Sequence, residues 1–141
     1  MSELKRVLVA DDDPSIRHAV SLKLSTAALS VAVAKDGEQG LRMALESEPD
    51  LLIVDYAMPY MTGYDLCREL RKQERFRTTP VIVLTAMEQD IDTSLAAELG
   101  VVRFMTKPFS PRELLASVQE LLGVSPHPME PMGPKGPGGA T

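Results

Sequence analysis

The chain has 141 residues, 44% of them hydrophobic and 25% charged, with one cysteine and a formal net charge of −5 at pH 7. This length suits one domain with a hydrophobic core, while the acidic balance argues against a nucleic-acid-binding surface, which requires a basic patch. Because no apolar run approaches the roughly 20 residues of a membrane span, and the amino terminus lacks the apolar core of a signal peptide, we expect a cytoplasmic protein without membrane contacts.

Five short apolar runs predict β-strands, and the amphipathic stretches between them predict helices. The strands are expected at about 5–10, 31–34, 50–54, 81–84 and 101–105. Short strands that alternate with helices indicate parallel strands joined by right-handed crossovers. Since the strands are apolar throughout, helices must cover both faces of the sheet.

Capping and helix-ending residues locate the five predicted helices. Asp13 precedes Pro14 and Ser110 precedes Pro111, so we expect each polar side chain to cap a helix that begins with proline. The second helix is predicted from the Asp36-Gly37 turn to near Ser47, and the third after Gly63. The fourth is predicted at the spacing of Ile91, Leu95 and Leu99, with Gly100 as the helix end.

The favoured fold is α/β, with a doubly wound five-stranded parallel sheet of order 2-1-3-4-5 and five helices. Strands one and three then flank the topological switch point, where ligands bind in such sheets. This topology places Asp11, Asp12 and Asp55 in one crevice. Thr85 and Lys107 follow strands four and five, so they should reach the same edge of the sheet.

The end of the chain differs in composition from the rest. Residues 125–141 contain five prolines and four glycines, with no hydrophobic periodicity. Such a segment buries too little surface to offset the entropy of ordering it. We therefore assign residues 4–123 to the domain and residues 124–141 to a disordered Pro/Gly-rich tail or a truncated linker.

The clustered carboxylates predict chemistry with a divalent cation and phosphate. Two carboxylates about 4 Å apart repel by about 4 kcal/mol at an effective dielectric of about 20, and Mg²⁺ is held by such groups together with phosphate oxygens. Aspartate can also act as a nucleophile and form an acyl phosphate. A phosphoryl group on Asp55 would be neutralised by Mg²⁺, the Lys107 ammonium and the Thr85 hydroxyl. Taken singly, each residue also has a purely structural interpretation; their joint presence at the strand ends favours the phosphoryl site.

The chain resembles the receiver domain of two-component response regulators over about residues 4–122. The resemblance rests on Val7–Pro14, on Asp55 with Met58-Pro59 and Gly63, on Thr85-Ala86, and on Lys107-Pro108-Phe109. It implies a CheY-like, flavodoxin-like fold in which Asp55 accepts a phosphoryl group from a phosphohistidine on a sensor histidine kinase or a histidine phosphotransfer protein.

The resemblance also implies a role for each residue of the site. Asp12, Asp55 and the backbone carbonyl of Ala57 would bind Mg²⁺, with Mn²⁺ as an alternative cation, and Asp11 would act through water. Thr85 and Lys107 would bind the phosphoryl group. A cis peptide bond is expected between Lys107 and Pro108.

A conformational switch is implied as well. Thr85 should move toward the phosphoryl group, and the small Ala86 leaves room for Phe104, which stands where the family often has tyrosine, to turn inward. This would reshape the surface of helix four, strand five and helix five for partner binding or homodimer formation. The apolar residues Ala57 and Met87 occupy positions that tune dephosphorylation in the family.

Three further interpretations concern activity and output. The resemblance implies a phosphoacceptor signalling domain and not an enzyme in its own right. Such a domain catalyses only its own phosphoryl transfer and dephosphorylation. Its output would pass to an effector protein or to an attached output domain. The alternatives are a phosphatase, because Asp11-x-Asp13-x-Ser15 resembles the nucleophile motif of haloacid-dehalogenase-type enzymes, and an interaction module that is never phosphorylated.

Overall fold

Parallel strands form the central layer of the structure, a computed structural model that describes residues 4–124. The strands are β1 (Lys5–Ala10), β2 (Leu29–Ala34), β3 (Leu51–Asp55), β4 (Val81–Thr85) and β5 (Val101–Thr106). Their order in the sheet is β2-β1-β3-β4-β5, and all neighbouring strands are parallel. The predicted strand order is therefore confirmed.

Helices follow the strands and cover both faces of the sheet. They are α1 (Pro14–Leu24), α2 (Gly37–Ser47), α3 (Gly63–Arg71), α4 (Thr93–Leu99) and α5 (Pro111–Leu122). Helices α1 and α5 pack on one face, and α2, α3 and α4 pack on the other. Two 3₁₀ turns, Glu74–Phe76 and Glu88–Asp90, were not predicted, because three residues are too few to show a periodicity.

Strand β3 lies in the middle of the sheet and is buried along its whole length. Leu51 and Ile53 belong to the apolar cluster beneath α1 and α5, whereas Leu52 and Val54 belong to the cluster beneath α2, α3 and α4. Each fully buried aliphatic side chain of this kind stabilises the fold by about 1.5–3 kcal/mol. Packing on both faces therefore fixes the end of β3, and with it the position of Asp55.

The predicted caps of α1 and α5 are confirmed. Asp13 Oδ1 accepts a hydrogen bond from the Ser15 amide at 2.9 Å, and Ser110 Oγ accepts one from the Glu113 amide at 3.3 Å. Hydrogen bonds from the hydroxyl and the amide of Ser15 lower the pKa of the Asp13 carboxyl. Asp13 is thus a helix cap, which separates it from its neighbours Asp11 and Asp12.

The start of α4 differs from the prediction. Asp92 Oδ1 accepts a hydrogen bond from the Leu95 amide at 3.0 Å, so Asp92 caps the helix and Thr93 is its first residue. Ile91 was assigned to this helix because of its apolar spacing, and that assignment is wrong. It lies in the connection after the second 3₁₀ turn.

An arginine at the end of α3 binds the carboxyl end of α4. Arg71 Nε donates to the Leu99 carbonyl at 2.8 Å and Nη2 to the Gly100 carbonyl at 3.3 Å, while Nη1 donates to the Phe76 carbonyl. Gly100 has a φ of +74°, and a Cβ there would lie 2.9 Å from Arg71 Nη2. The positive φ favours glycine at this position, whereas the Arg71 guanidinium is the end of a flexible side chain and could shift; the predicted end of α4 is confirmed.

The predicted tail begins at Val124, which is the last residue that the structure describes. The remainder of the tail lies outside the described residues, so the boundary after residue 123 stays a prediction. None of the helices between residues 4 and 124 is long and apolar enough to cross a membrane.

Candidate phosphoryl and metal site

Carboxylates gather at the carboxyl edge of the sheet, as the topology predicts. Asp11 and Asp12 directly follow β1, and Asp55 is the last residue of β3. One carboxylate oxygen from each of the three residues lies within 4.8 Å of the others. Asp11 and Asp55 are buried, whereas Asp12 is exposed. The acidic crevice therefore has a buried floor and one solvent-facing carboxylate.

The Lys107 side chain joins the two buried carboxylates. Its ammonium lies 3.0 Å from Asp11 Oδ2 and 3.1 Å from Asp55 Oδ1. Burial lowers the pKa of Lys107, but the close approach and charge of Asp11, followed by the charge of Asp55, outweigh burial and leave this pKa raised. The Lys107-Pro108 peptide bond is cis, as the resemblance implied.

One ammonium does not fully compensate two buried carboxylates. Burial, followed by repulsion from Asp11, raises the pKa of Asp55 to about 6, although Lys107 acts in the opposite direction. Keeping Asp55 ionised thus costs folding free energy in the metal-free protein. A divalent cation in the crevice would remove that cost, because it supplies the missing positive charge.

The Asp11 carboxylate is oriented by its own loop. Its Oδ1 accepts a hydrogen bond from the Asp13 amide at 2.9 Å. Its buried Oδ2 has the Lys107 ammonium at 3.0 Å but no hydrogen bond of good geometry from the described residues. This under-coordinated oxygen, together with an all-oxygen donor set, fits a hard cation such as Mg²⁺.

Arg17 also contributes to this loop, through a contact that was not predicted from the sequence. Its Nη1 donates to the backbone carbonyl of Asp11 at 2.9 Å. The contact fixes the backbone from which both Asp11 and Asp12 project. Arg17 lies in the first turns of α1, six residues past Asp11. This position suggests a contact with the Asp11 backbone only once the helix cap at Asp13 is known.

Thr85 ends β4 and is buried beside the site. Its Oγ1 lies 3.0 Å from the Met87 carbonyl and 3.4 Å from Asp90 Oδ2, and it accepts a weak hydrogen bond from the Met87 amide at 3.3 Å. The hydroxyl therefore contacts the β4–α4 connection. The Asp90 contact was not predicted, because a loop that folds back on itself leaves no periodic signal.

The other predicted residues lie around this edge. Ala57 and Ala86 are exposed in the loops after β3 and β4, and Met87 is 48% exposed. The role of the Ala57 carbonyl in metal binding and the roles of Ala57 and Met87 in dephosphorylation stay predictions.

Phe104 belongs to an aromatic cluster that the sequence did not reveal. Its ring is half-buried and meets the Tyr64 ring edge to face, with centroids 6.5 Å apart. Tyr64 also meets Tyr56 edge to face at 5.3 Å, and the Tyr64 hydroxyl accepts a hydrogen bond from the Asp92 amide at 3.1 Å. The residue after Asp55 is thereby connected, ring by ring, to β5 and to the start of α4.

The loop after Asp55 carries a strained residue. Tyr60 is fully exposed and has a φ of +69°, and the Met61 amide donates to the Pro59 carbonyl at 2.7 Å across it. This is a tight three-residue turn with a positive φ, which is rare for any residue with a Cβ. The strain lies four to six residues past Asp55, in the loop that borders the crevice.

We expect Tyr60→Gly to raise the free energy of unfolding by about 0.5–1 kcal/mol, because glycine adopts a positive φ without the Cβ clash. Urea denaturation of the metal-free protein measures this change. Tyr60→Ala is the matched control, since it removes the exposed ring but keeps the Cβ, and it should give no gain. Equal gains in both variants would attribute the effect to the ring and contradict the strain argument.

Comparison with known proteins agrees with this geometry. The family model for the response regulator receiver domain matches residues 7–119. The alkaline phosphatase synthesis transcriptional regulatory protein PhoP of Bacillus subtilis is 39% identical over 118 residues, which cover 84% of this chain and 48% of that protein. The chain thus spans about half the length of the curated relatives it matches.

Solved structures give the same result. The chemotaxis response regulator CheY4 of Vibrio cholerae has a TM-score of 0.77 at 33% identity, covering 84% of this chain and 98% of that one. The receiver domain of a sensor histidine kinase from Pseudomonas aeruginosa PAO1, solved with magnesium coordinated in its active site cleft, has a TM-score of 0.76 at 29% identity, covering 85% and 98%. The sheet is CheY-like, and a lysine lies between the buried carboxylates of the acidic crevice. Together with a family match over most of the chain, these features show that this chain belongs to the response regulator receiver domain family.

Proposed function

We propose that Asp55 accepts a phosphoryl group from a phosphohistidine on a sensor histidine kinase or a histidine phosphotransfer protein. The observation that supports this most directly is the position of the Asp55 carboxylate, buried at the end of β3 and 3.1 Å from the Lys107 ammonium. In the transfer, a carboxylate oxygen forms a bond to phosphorus while the P–N bond breaks, and that bonding electron pair stays with the imidazole. Lys107 then balances charge on the phosphoryl oxygens.

We assign a divalent cation, Mg²⁺ or alternatively Mn²⁺, to Asp12, Asp55 and the Ala57 carbonyl, with Asp11 acting through water. Carboxylate oxygens within 4.8 Å of one another support this assignment, as does the magnesium in the similar receiver domain from P. aeruginosa. When bound, the cation would stabilise negative charge on the phosphoryl group during transfer. Arg17 and the Asp13 amide hold the loop that carries the acidic pair.

The phosphoryl acceptor can be tested with a small phosphodonor. With Mg²⁺ and acetyl phosphate, the wild-type protein should gain one phosphoryl group, and Asp55→Ala should gain none, because the nucleophile is removed. Mass spectrometry after borohydride trapping locates the modified residue. Modification at Asp11 would instead support the phosphatase alternative, and undiminished labelling of Asp55→Ala would reject Asp55 as the acceptor.

The metal assignment predicts unequal effects of two adjacent substitutions. Asp12→Ala should weaken Mg²⁺ binding by about tenfold or more, since it removes a proposed ligand. Asp13→Ala should leave Mg²⁺ affinity within about twofold and should instead lower the melting temperature, since it removes the cap of α1. Titration calorimetry and thermal unfolding measure the two quantities. Equal losses of affinity would mean that the metal ligands are displaced by one residue.

We further propose that phosphorylation is transmitted through Thr85, Ala86 and Phe104 to the surface formed by α4, β5 and α5. Phe104 is supported in this role by its half-buried ring beside Tyr64. Without a hydroxyl, the ring has no hydrogen bond to fix it in either position. Ala57 and Met87 have apolar side chains, so neither can form a hydrogen bond that orients a water for hydrolysis of the phosphoryl group on Asp55.

The output of the domain also belongs to this proposal. Curated relatives are transcriptional regulators about twice as long as the matched region. We propose a cytoplasmic receiver domain over residues 4–123, whose output passes to an effector protein or to an attached output domain. A homodimer formed on phosphorylation through the α4, β5 and α5 surface is the alternative route.

A further inference from the structure

We propose that Asp90 is a positioning residue that holds the Thr85 hydroxyl away from the phosphoryl group. This inference rests on the function proposed for Asp55 and adds a residue that opposes it. The Thr85 hydroxyl carries one proton, and two acceptors face it: the Met87 carbonyl at 3.0 Å and Asp90 Oδ2 at 3.4 Å. A carboxylate accepts hydrogen bonds more strongly than a backbone carbonyl, so Asp90 competes for this proton despite its longer distance.

The geometry of the β4–α4 connection aims Asp90 at Thr85. The Asp90 amide donates to the Met87 carbonyl at 3.0 Å, which closes the 3₁₀ turn and brings residue 90 back toward the end of β4. Two residues later, the Asp92 amide donates to the Tyr64 hydroxyl at 3.1 Å. The connection is therefore attached to Thr85 at one end and to Tyr64 at the other.

These contacts give Asp90 a defined effect on switching. When the Thr85 hydroxyl turns to a phosphoryl oxygen, it must leave both acceptors in the connection, because it has a single proton to donate. A phosphoryl group also brings a charge of about −1.5 to −2 close to the Asp90 carboxylate, and like charges repel. Asp90 thus favours the unphosphorylated arrangement chiefly through its contact with the Thr85 hydroxyl, and only to a smaller extent through repulsion of the phosphoryl group, which solvent screens.

The release of Asp90 would be transmitted along the connection. A freed residue 90 loosens the segment that holds the Tyr64 hydroxyl, and the Tyr64 ring contacts Phe104. A ligand shifts such an equilibrium only by its differential affinity for the two states. Weakening the Asp90 contact should therefore raise the affinity for a phosphate mimic without touching Asp55 or the proposed metal ligands.

Three variants separate the contact from general charge effects. Asp90→Ala removes the acceptor and the charge, Asp90→Asn keeps a neutral acceptor, and Glu88→Ala removes an exposed carboxylate from the same turn. Beryllofluoride with Mg²⁺ is the probe, titrated by NMR. We expect Asp90→Ala to bind it about fivefold more tightly than wild type, Asp90→Asn to be intermediate, and Glu88→Ala to stay within about twofold.

Two further measurements isolate Thr85. Three-bond couplings of the Thr85 methyl carbon report its χ1 rotamer in the free protein, and they should change in Asp90→Ala but not in Glu88→Ala. In a Thr85→Ala background, Asp90→Ala should lose most of its effect on beryllofluoride affinity, because the hydroxyl that couples them is gone.

Each outcome decides between the two proposals. A wild-type protein that binds no beryllofluoride overturns the function proposed for Asp55 and this inference with it. Normal wild-type binding with equal effects of Asp90→Ala and Glu88→Ala overturns the role of Asp90 alone. An undiminished effect in the Thr85→Ala background also overturns it, since the effect is then one of charge. If Asp90→Ala does not fold, Asp90→Asn carries the same comparison.

Discussion

Asp55→Asn is expected to stabilise the metal-free protein by about 2–3 kcal/mol at pH 7.5 and by only about 0.5 kcal/mol at pH 4. Burial and repulsion from Asp11 raise the pKa of Asp55 from 3.8 to about 6 in the folded state. Between these values the folded protein binds a proton that the unfolded chain has released, so stability falls as the pH rises through this window. Asparagine carries no charge and escapes the whole penalty above pH 6.

Denaturant unfolding of both proteins between pH 4 and pH 8 measures this difference. Glu88→Gln is the matched control, because it makes the same change in net charge at an exposed position. It should shift stability by less than about 0.5 kcal/mol at every pH. Saturating Mg²⁺ should shrink the gain from Asp55→Asn, since the cation stabilises the ionised carboxylate. A pH-independent gain, or a loss of stability at pH 7.5, would contradict the assigned cause.

Lys107→Met should have the opposite effect and destabilise the metal-free protein by about 2–3 kcal/mol at pH 7.5. The substitution leaves Asp11 and Asp55 facing each other without the ammonium that lies within 3.1 Å of both. Breaking a fully buried ion pair costs about 3–5 kcal/mol, and the smaller value expected here reflects the 20% exposure of the Lys107 side chain.

The cause is tested by combining substitutions and by adding the cation. Lys107→Met with Asp55→Asn should recover more than half of the loss, because only Asp11 then remains charged on the crevice floor. Mg²⁺ should also recover part of it. Lys35→Met, at an exposed position outside the crevice, is the control and should be nearly neutral. A loss that neither the second substitution nor Mg²⁺ reduces would assign Lys107 to packing, through its aliphatic stem.

The sequence predicts those parts of the fold and site that depend on repetition. Alternating strands and helices define the sheet order, and parallel strands place Asp11, Asp55 and Lys107 at one edge, where the structure has them. Thr85 follows from the same rule. These predictions succeed because one geometric constraint, the common direction of the strands, determines many positions at once.

The contacts that the sequence did not predict arise where the chain folds back locally. Each of these contacts depends on one side-chain rotamer and on the path of one loop. They are the hydrogen bond from Arg17 to the Asp11 carbonyl, the approach of Asp90 to Thr85, and the hydrogen bond from the Asp92 amide to the Tyr64 hydroxyl. The misplaced Ile91 has a related cause, since the apolar spacing extends back past Asp92, the cap at which the helix begins. Periodicity reports which face is buried, and it says little about where a polar side chain ends an element.

The contacts of Arg71 determine how α4 can move. Because the guanidinium binds the Leu99 and Gly100 carbonyls, the carboxyl end of α4 is hinged to α3, and motion that keeps these bonds is a rotation about that end. Seven residues of helix make a lever about 10 Å long at about 1.5 Å per residue. A swing of about 10° would therefore carry the Asp92 end by about 2 Å while Gly100 stays in place, a displacement comparable to the helix shifts of about 1–2 Å that switch other proteins.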